Sequence, residues 1–257
     1  MSKLSSGSSS RRPMDNMSYS WASPQEDEFA LCALGAPSPY EALLIPALMH
    51  NPRTLLHLNQ RSDTEKVRWC DTFRYLLRLL TLQQKGKTLV LKSPSHGLKL
   101  ATLRVLFPKA RYVVIHRNPY EVFASNLKLW KTLLNLYSLV DFSMREVEDF
   151  VLEAYVLHEE AISDGCNDLD RPFLARVRYE DLVARPIQEM MRVFEGLELG
   201  MFEDVRPALE RYLASVKDHK RNTFSLSQDQ KARVDARWGG IISRKGYYWP
   251  AETLSIN

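Results

Sequence analysis

The feature that most constrains this chain is an apolar, β-branched run that passes directly into a helix start. Arg111-Tyr-Val-Val-Ile-His116 has the residue types of a buried strand. Asn118-Pro-Tyr-Glu121 follows at once, with Asn at the N-cap, Pro at the first helical position and Glu at the third. A strand feeding a helix is the repeating unit of parallel sheets, because parallel neighbours must be joined by a crossover. The same order is expected upstream: a strand over Thr88–Lys92, a turn at Ser93-Pro-Ser-His-Gly97, then a helix from Leu98 to Phe107 that Pro108 ends. Phe173 to Arg178 reads as a third strand. Capping boxes at Ser62–Glu65 and Ser143–Glu146 open two further helices, the first stopped at Gly86 and the second reaching about Ser163. The expected class is therefore α/β, with a parallel sheet, right-handed crossovers and flanking helices.

The chain is long enough for one large domain of this kind, at 257 residues with 45% hydrophobic and 26% charged positions. Residues 1–12 are Ser, Gly and basic residues and read as a flexible tail, leaving 13–257 as a single domain. Within it, 13–60 reads as a lid or acceptor-pocket segment, 61–182 as the α/β core and 183–257 as a helical part. Met14, Met17, Trp21 and Tyr40 are candidate walls of an apolar pocket, although such residues more often pack a core. A net charge of +4 is too small for a dedicated nucleic-acid binder, so any polyanion site must be local. Cys32, Cys70 and Cys166 lie far apart with no ligand-spaced His, which argues against a disulfide framework or a metal site and for a reducing, cytoplasmic setting. The longest apolar stretch, Phe29 to Met49, is broken by Pro37, Pro39, Pro46 and Glu41 and cannot span a bilayer as one helix.

Ligands of open parallel sheets bind beyond the carboxyl ends of the strands. The first two expected strands end in Lys92-Ser-Pro-Ser-His96 and Arg117-Asn118, both feeding helix N-termini that suit an anion. No acidic residue lies between Asp71 and Glu121, while Arg74, Lys92, Lys99, Arg104 and Arg117 all do. Most of these cations read as solvated faces. Lys92 and Arg117 are the exceptions, because each stands at a strand's carboxyl end. Ser125, two turns into the helix after Arg117, could add a hydroxyl to a phosphate clamp.

Val113-Val-Ile-His-Arg-Asn-Pro-Tyr-Glu-Val-Phe-Ala-Ser125 resembles the 3′-phosphate motif of sulfotransferases, in which a strand ends in Arg-Asn/Asp-Pro and a Ser follows eight residues on. Leu91-Lys-Ser-Pro-Ser-His96 is similar to the family's Lys-Ser/Thr-Pro/His loop, and Arg178-Tyr-Glu-Asp-Leu182 to the segment after its third strand. Pro24-Gln-Glu-Asp-Glu-Phe-Ala-Leu31 is similar to a motif of the branch found widely in bacteria and some eukaryotes. These pieces occur in the family's order over roughly residues 13 to 250.

The resemblance implies a P-loop-like three-layer fold that takes 3′-phosphoadenosine 5′-phosphosulfate (PAPS) and moves its sulfuryl group, without a metal, to a hydroxyl or amine of a small-molecule or carbohydrate acceptor. It implies that Arg117 and Ser125 hold the 3′-phosphate, that Lys92 lies near the transferring group with Ser93 also binding the cofactor, and that Tyr179 lies near the nucleotide or supports that loop. Arg244-Lys245-Gly246 resembles a basic triplet on the 3′-phosphate, with Lys220-Arg221-Asn222 as a competitor. Transfer spreads negative charge over oxygens, which fixed cations such as Lys92 stabilise. The acceptor must lose a proton, and His96 is the first candidate base, its alternative role being a helix cap at Gly97. Glu26, Asp27 and Glu28 are rivals, of which at most one or two are expected to face the site. The family's opening strand, phosphosulfate-wrapping loop and helix find no match, and GxxxxGK[ST] is absent, which disfavours a nucleotide kinase. The expectation is a sheet short of a central strand and weakened catalysis. The alternative is a non-catalytic relative that binds adenosine 3′,5′-bisphosphate or a protein partner.

Overall fold

The computed structural model describes the backbone of Ser10–Arg11 and Ser18–Tyr19 and residues 25–170, 172–217 and 225–249. A two-residue antiparallel ladder joins β1 (Ser10–Arg11) to β2 (Ser18–Tyr19). Helix α1 (Asp27–Ala33) follows, then 3₁₀ turns at Pro39–Leu43 and Pro46–His50, α2 (Pro52–Leu56) and a turn at Leu58–Gln60. Pro39, Pro46 and Pro52 open three of these short pieces, the fixed φ of proline suiting a first helical position. Next come α3 (Asp63–Gln83), a 3₁₀ turn at Pro94–Lys99, α4 (Leu100–Leu106), β3 (Tyr112–His116), α5 (Pro119–Tyr137) and α6 (Met144–Cys166). The chain continues through β4 (Leu174–Arg178), α7 (Tyr179–Ala184), α8 (Pro186–Gly196), α9 (Phe202–Ser215) and α10 (Gln228–Arg244).

The sequence places several of these boundaries by mechanisms the structure displays. Ser62 accepts from the Glu65 amide while Glu65 accepts from the Ser62 amide, so the box closes reciprocally at the start of α3. Ser143 does the equivalent at α6, bonding the Arg145 amide at 3.2 Å and donating its own amide to Glu146 at 3.3 Å. Gly86 takes a φ of +77° after α3, a conformation that a side chain would strain.

The expected strand over Thr88–Lys92 is not formed. The segment has no regular secondary structure, and Val90 is 93% exposed. A strand is stable only when its backbone groups find a ladder partner, and among the described residues none runs beside it. Among the described residues the parallel sheet is two strands, β3 and β4, in register from Tyr112 opposite Leu174 to His116 opposite Arg178. Parallel pairing joined through helices establishes an α/β fold, mostly helical with a small sheet. The helix expected from Leu98 begins earlier, as a 3₁₀ turn from Pro94 that runs straight into α4.

The chain forms two compact units, residues 1–96 with 126–154 and residues 97–125 with 155–257. In the first, Trp69 and Phe73 of α3 stack at 4.9 Å, Leu31 of α1 is fully buried, and Trp130 and Phe150 meet edge to face at 5.0 Å. In the second, α8 covers β4 through Ala175, Val177, Val193 and Leu197, and fully buried Trp238 of α10 packs against Phe123 and Tyr155 at 5.6 and 4.1 Å. Aromatic burial of this extent dominates the energetics of each unit. No helix among the described residues is long and apolar enough to cross a membrane.

Candidate functional site

In the first unit, the segment Lys92–His96 is stitched to the start of α1 by three successive acids. Glu26 lies 2.5 Å from Lys92 Nζ, Asp27 Oδ2 lies 2.7 Å from His96 Nε2, and Ser95 donates its hydroxyl to Glu28. All three acids therefore bond this one segment, each to a different residue of it. Side chains in a helix's first turn tilt toward its N-terminus, so a segment laid across that tip meets all three. Their chemistry differs with depth: Glu28 is wholly buried, Asp27 is 8% exposed, and the Lys92 side chain is 78% exposed.

Asp27 is a residue whose part the sequence did not predict. Its Oδ2 takes the imidazole, while Oδ1 is buried without a hydrogen-bond partner among the described residues. A carboxylate on Nε2 fixes that nitrogen as the N–H, which leaves Nδ1 as the basic atom. His96 also lies edge-on to Phe73 at 6.0 Å, an apolar wall that limits how the ring turns. Glu26 is held in turn by the Tyr40 hydroxyl at 2.7 Å, and burial together with Glu26 pushes the Tyr40 phenol well above its ordinary range. Tyr40 therefore stays a neutral donor. Ser93 is buried and lies 3.3 Å from the Ser95 hydroxyl, so it belongs to the same polar seam.

The second unit gathers its polar residues at the carboxyl ends of β3 and β4. Asn118 caps α5 by accepting from the Tyr120 amide at 3.1 Å, and its own amide donates to Glu180 at 2.9 Å. Arg117 pairs with Glu121 through Nε at 2.8 Å and Nη2 at 2.5 Å, and its guanidinium lies 4.6 Å above the Tyr179 ring. Ser125 sits half-buried one helical turn beyond Glu121, on the same face of α5. Arg117 thus touches both Glu121 of α5 and Tyr179 at the start of α7.

The segment after α10 packs against the same strand ends. Tyr247 is buried, donates to Glu180 at 3.0 Å, accepts from His116 Nδ1 at 2.9 Å, and lies under Arg178 at 4.4 Å. Asn118 Nδ2 donates to the Tyr248 carbonyl at 3.0 Å. Burial, with the Lys245 charge second, holds His116 below the ordinary imidazole range. Of the triplet, Arg244 is exposed, Lys245 is paired with Glu159 at 2.6 Å, and Gly246 takes the positive φ of a helix C-terminus. Lys220, Arg221 and Asn222, like Met14, Met17 and Trp21, lie outside the described residues.

Of the cations that read as solvated faces, Arg104 forms a surface ion pair and Lys99 does not stay solvated. Arg104 grips Asp168 with two hydrogen bonds of 2.8 and 3.0 Å and also donates to the Gly165 carbonyl, and Lys99 is buried. The described residues hold no cluster of three or more metal-ligating side chains.

Comparison with known proteins gives these geometries a context. Residues 14–204 match the model of the sulfotransferase family. The chain is 36% identical over 240 residues to the omega-hydroxy-beta-dihydromenaquinone-9 sulfotransferase Stf3 of Mycobacterium bovis and of Mycobacterium tuberculosis, covering 93% of this chain and 61% of theirs. Nodulation protein NoeE of Sinorhizobium fredii is 30% identical over 122 residues, covering 43% of this chain and 28% of its own. In fold, the chain is similar to the crystal structure of sulfotransferase STF9 from Mycobacterium avium, with a TM-score of 0.63 at 19% identity, over 88% of this chain and 57% of that one. The chain spans about three-fifths of the length of the Stf3 proteins.

Proposed function

Because this chain belongs to the sulfotransferase family, we propose that it serves transfer of a sulfuryl group from PAPS to a hydroxyl of a small acceptor. The observation that carries the reading is the threefold tie of Lys92, Ser95 and His96 to Glu26, Asp27 and Glu28. It presets a cation, a hydroxyl and an imidazole on one segment, the arrangement that a charge-spreading transfer needs before substrate arrives.

In this reading His96 Nδ1 takes the acceptor's proton as its oxygen bonds to sulfur, and the bond from sulfur to the bridging oxygen breaks with its electron pair leaving on the nucleotide phosphate. Asp27 stabilises the imidazolium that results, and Lys92 offsets charge on the sulfuryl oxygens. The donor supplies an activated phosphosulfate. In the second unit, Arg117 and Ser125 are the residues we propose for a nucleotide 3′-phosphate, with Tyr179 supporting the guanidinium. Lys245 carries a pairing to Glu159 that it must give up to reach the same phosphate. That makes Arg244 the better candidate of the triplet.

The acceptor we favour is an apolar molecule carrying a hydroxyl rather than a carbohydrate. Phe29, Leu34, Leu44, Ile45 and Leu48 are all exposed on α1 and the two turns after it, in the unit that holds His96. Exposed apolar patches of this kind mark binding surfaces. The Stf3 relatives, named for a hydroxylated dihydromenaquinone, fit the same chemistry. Three free thiols suit a reducing cytoplasm.

The test is transfer of radiolabelled sulfate from PAPS to a panel of isoprenoid alcohols, hydroquinones and oligosaccharides. Label in an apolar alcohol supports the proposal, and label in oligosaccharide alone refutes the acceptor class. No transfer, with adenosine 3′,5′-bisphosphate still bound, favours the non-catalytic binding protein instead.

A further inference from the structure

A guanidinium has two edges that can each bind an oxyanion through two hydrogens: Nε with Nη2, and Nη1 with Nη2. In Arg117 the first edge is taken by Glu121, which accepts from both Nε and Nη2. The face of the group is covered by Tyr179 at 4.6 Å. Among the described residues no carboxylate lies on the second edge.

Glu121 is at liberty to do this for a local reason. As the third residue of α5 it would ordinarily reach back to the Asn118 amide, completing a capping box. That amide is instead satisfied by Glu180 from α7, so Glu121 turns to the arginine. Its place on the helix is also particular, because it lies one turn before Ser125 on the same face and so midway between the two members of the phosphate clamp.

We infer that Glu121 is a positioning residue for anion recognition: with Tyr179 it locks Arg117 so that only the Nη1/Nη2 edge is offered, and so sets the preference for a nucleotide carrying a 3′-phosphate over one carrying a 5′-phosphate alone. This rests on the assignment of Arg117 to the 3′-phosphate. A free arginine holds large rotamer freedom that a ligand must remove on binding. Glu121 removes it beforehand. The cost is repulsion between its carboxylate and the incoming phosphate, which the intervening guanidinium and solvent screen.

The two effects have opposite signs, so the direction of a mutational change decides between them. Calorimetric titration of the 257-residue chain with adenosine 3′,5′-bisphosphate and with adenosine 5′-monophosphate is the experiment, on wild type, Glu121→Ala, Glu121→Gln and Arg117→Ala. We expect Glu121→Ala to weaken the bisphosphate about tenfold, the scale of ordering one long side chain, and to leave the monophosphate within about twofold. Glu121→Gln keeps an acceptor oxygen and recovers most of the lost affinity. Tighter or unchanged bisphosphate binding in Glu121→Ala overturns the inference, as does an equal loss for both nucleotides, which would mark a structural role. Arg117→Ala tells the two levels apart. If it erases the preference while Glu121→Ala does not, only the role of Glu121 falls; if it leaves the preference intact, or if wild type shows none, the phosphate assignment falls with it.

Discussion

His96 Nε2 lies 2.7 Å from Asp27 Oδ2, with the aspartate 8% exposed and its other oxygen lacking a hydrogen-bond partner among the described residues. A buried carboxylate against an imidazole fixes the tautomer and stabilises the charged ring once it takes a proton. His96→Ala should therefore lower sulfuryl transfer by about 10²–10⁴, the usual share of a positioned base. Asp27→Asn should lower kcat with little change in donor KM, because Asp27 acts through the ring. Steady-state assays on both variants check this, and equal losses in kcat and KM would count against it.

Glu28 is fully buried and accepts from Ser95. Glu28→Ala removes the carboxylate acceptor of a buried hydroxyl, leaving it only the long contact to Ser93, and should destabilise the chain by about 1–3 kcal/mol. Glu28→Gln, which can still accept, should lie closer to wild type. Urea unfolding followed by circular dichroism measures both.

Gly97 is constrained by space. A Cβ placed there would fall within 3.0 Å of three atoms of the His158 ring, so the ring would have to shift. Gly97→Ala should cost about 1–3 kcal/mol of stability, as overpacking does. A mutant as stable as wild type would mean that His158 moves freely.

His116 is held below the ordinary imidazole range, first by burial and then by Lys245. Its folded form binds protons less readily than its unfolded form, so stability rises with pH across that interval. Stability should be complete above about pH 6.5 and fall as pH drops below the unfolded value of the group. Tyr247→Phe removes the hydroxyl between His116 and Glu180 and should change the depth of that fall. Thermal unfolding between pH 5 and 8 reads both effects.

Trp238 is fully buried between Phe123 and Tyr155. Trp238→Ala should cost about 3–5 kcal/mol, and a smaller loss would show that the second unit repacks around the gap.

Local chemistry was readable because its causes are local. Ser62 and Glu65, Ser143 and Glu146, and Asn118 ahead of Pro119 satisfy amides within one turn, so the helix starts follow from neighbours in the chain. Arg111 to His116 likewise announces β3 by its residue types. Thr88 to Lys92 carries an equally apolar pattern and forms no strand, because pairing depends on a partner the segment itself cannot specify. Motif spacing singled out Lys92, His96, Arg117 and Ser125 as candidates, but it could not say that Lys92, His96 and Arg117 would pair with Glu26, Asp27 and Glu121. Asp27 and His96 are 69 residues apart.

What the amino-acid order alone determined was therefore the family, the helix starts and the residue types at the ends of the expected strands, since each depends on contacts within a few residues or on a motif. The tertiary structure decided which carboxylate each of those groups would meet. A side chain's charge is written in the sequence, whereas its neighbour is chosen by how the α1 tip and the Lys92–His96 segment pack, and by how Glu180 of α7 releases Glu121 to Arg117.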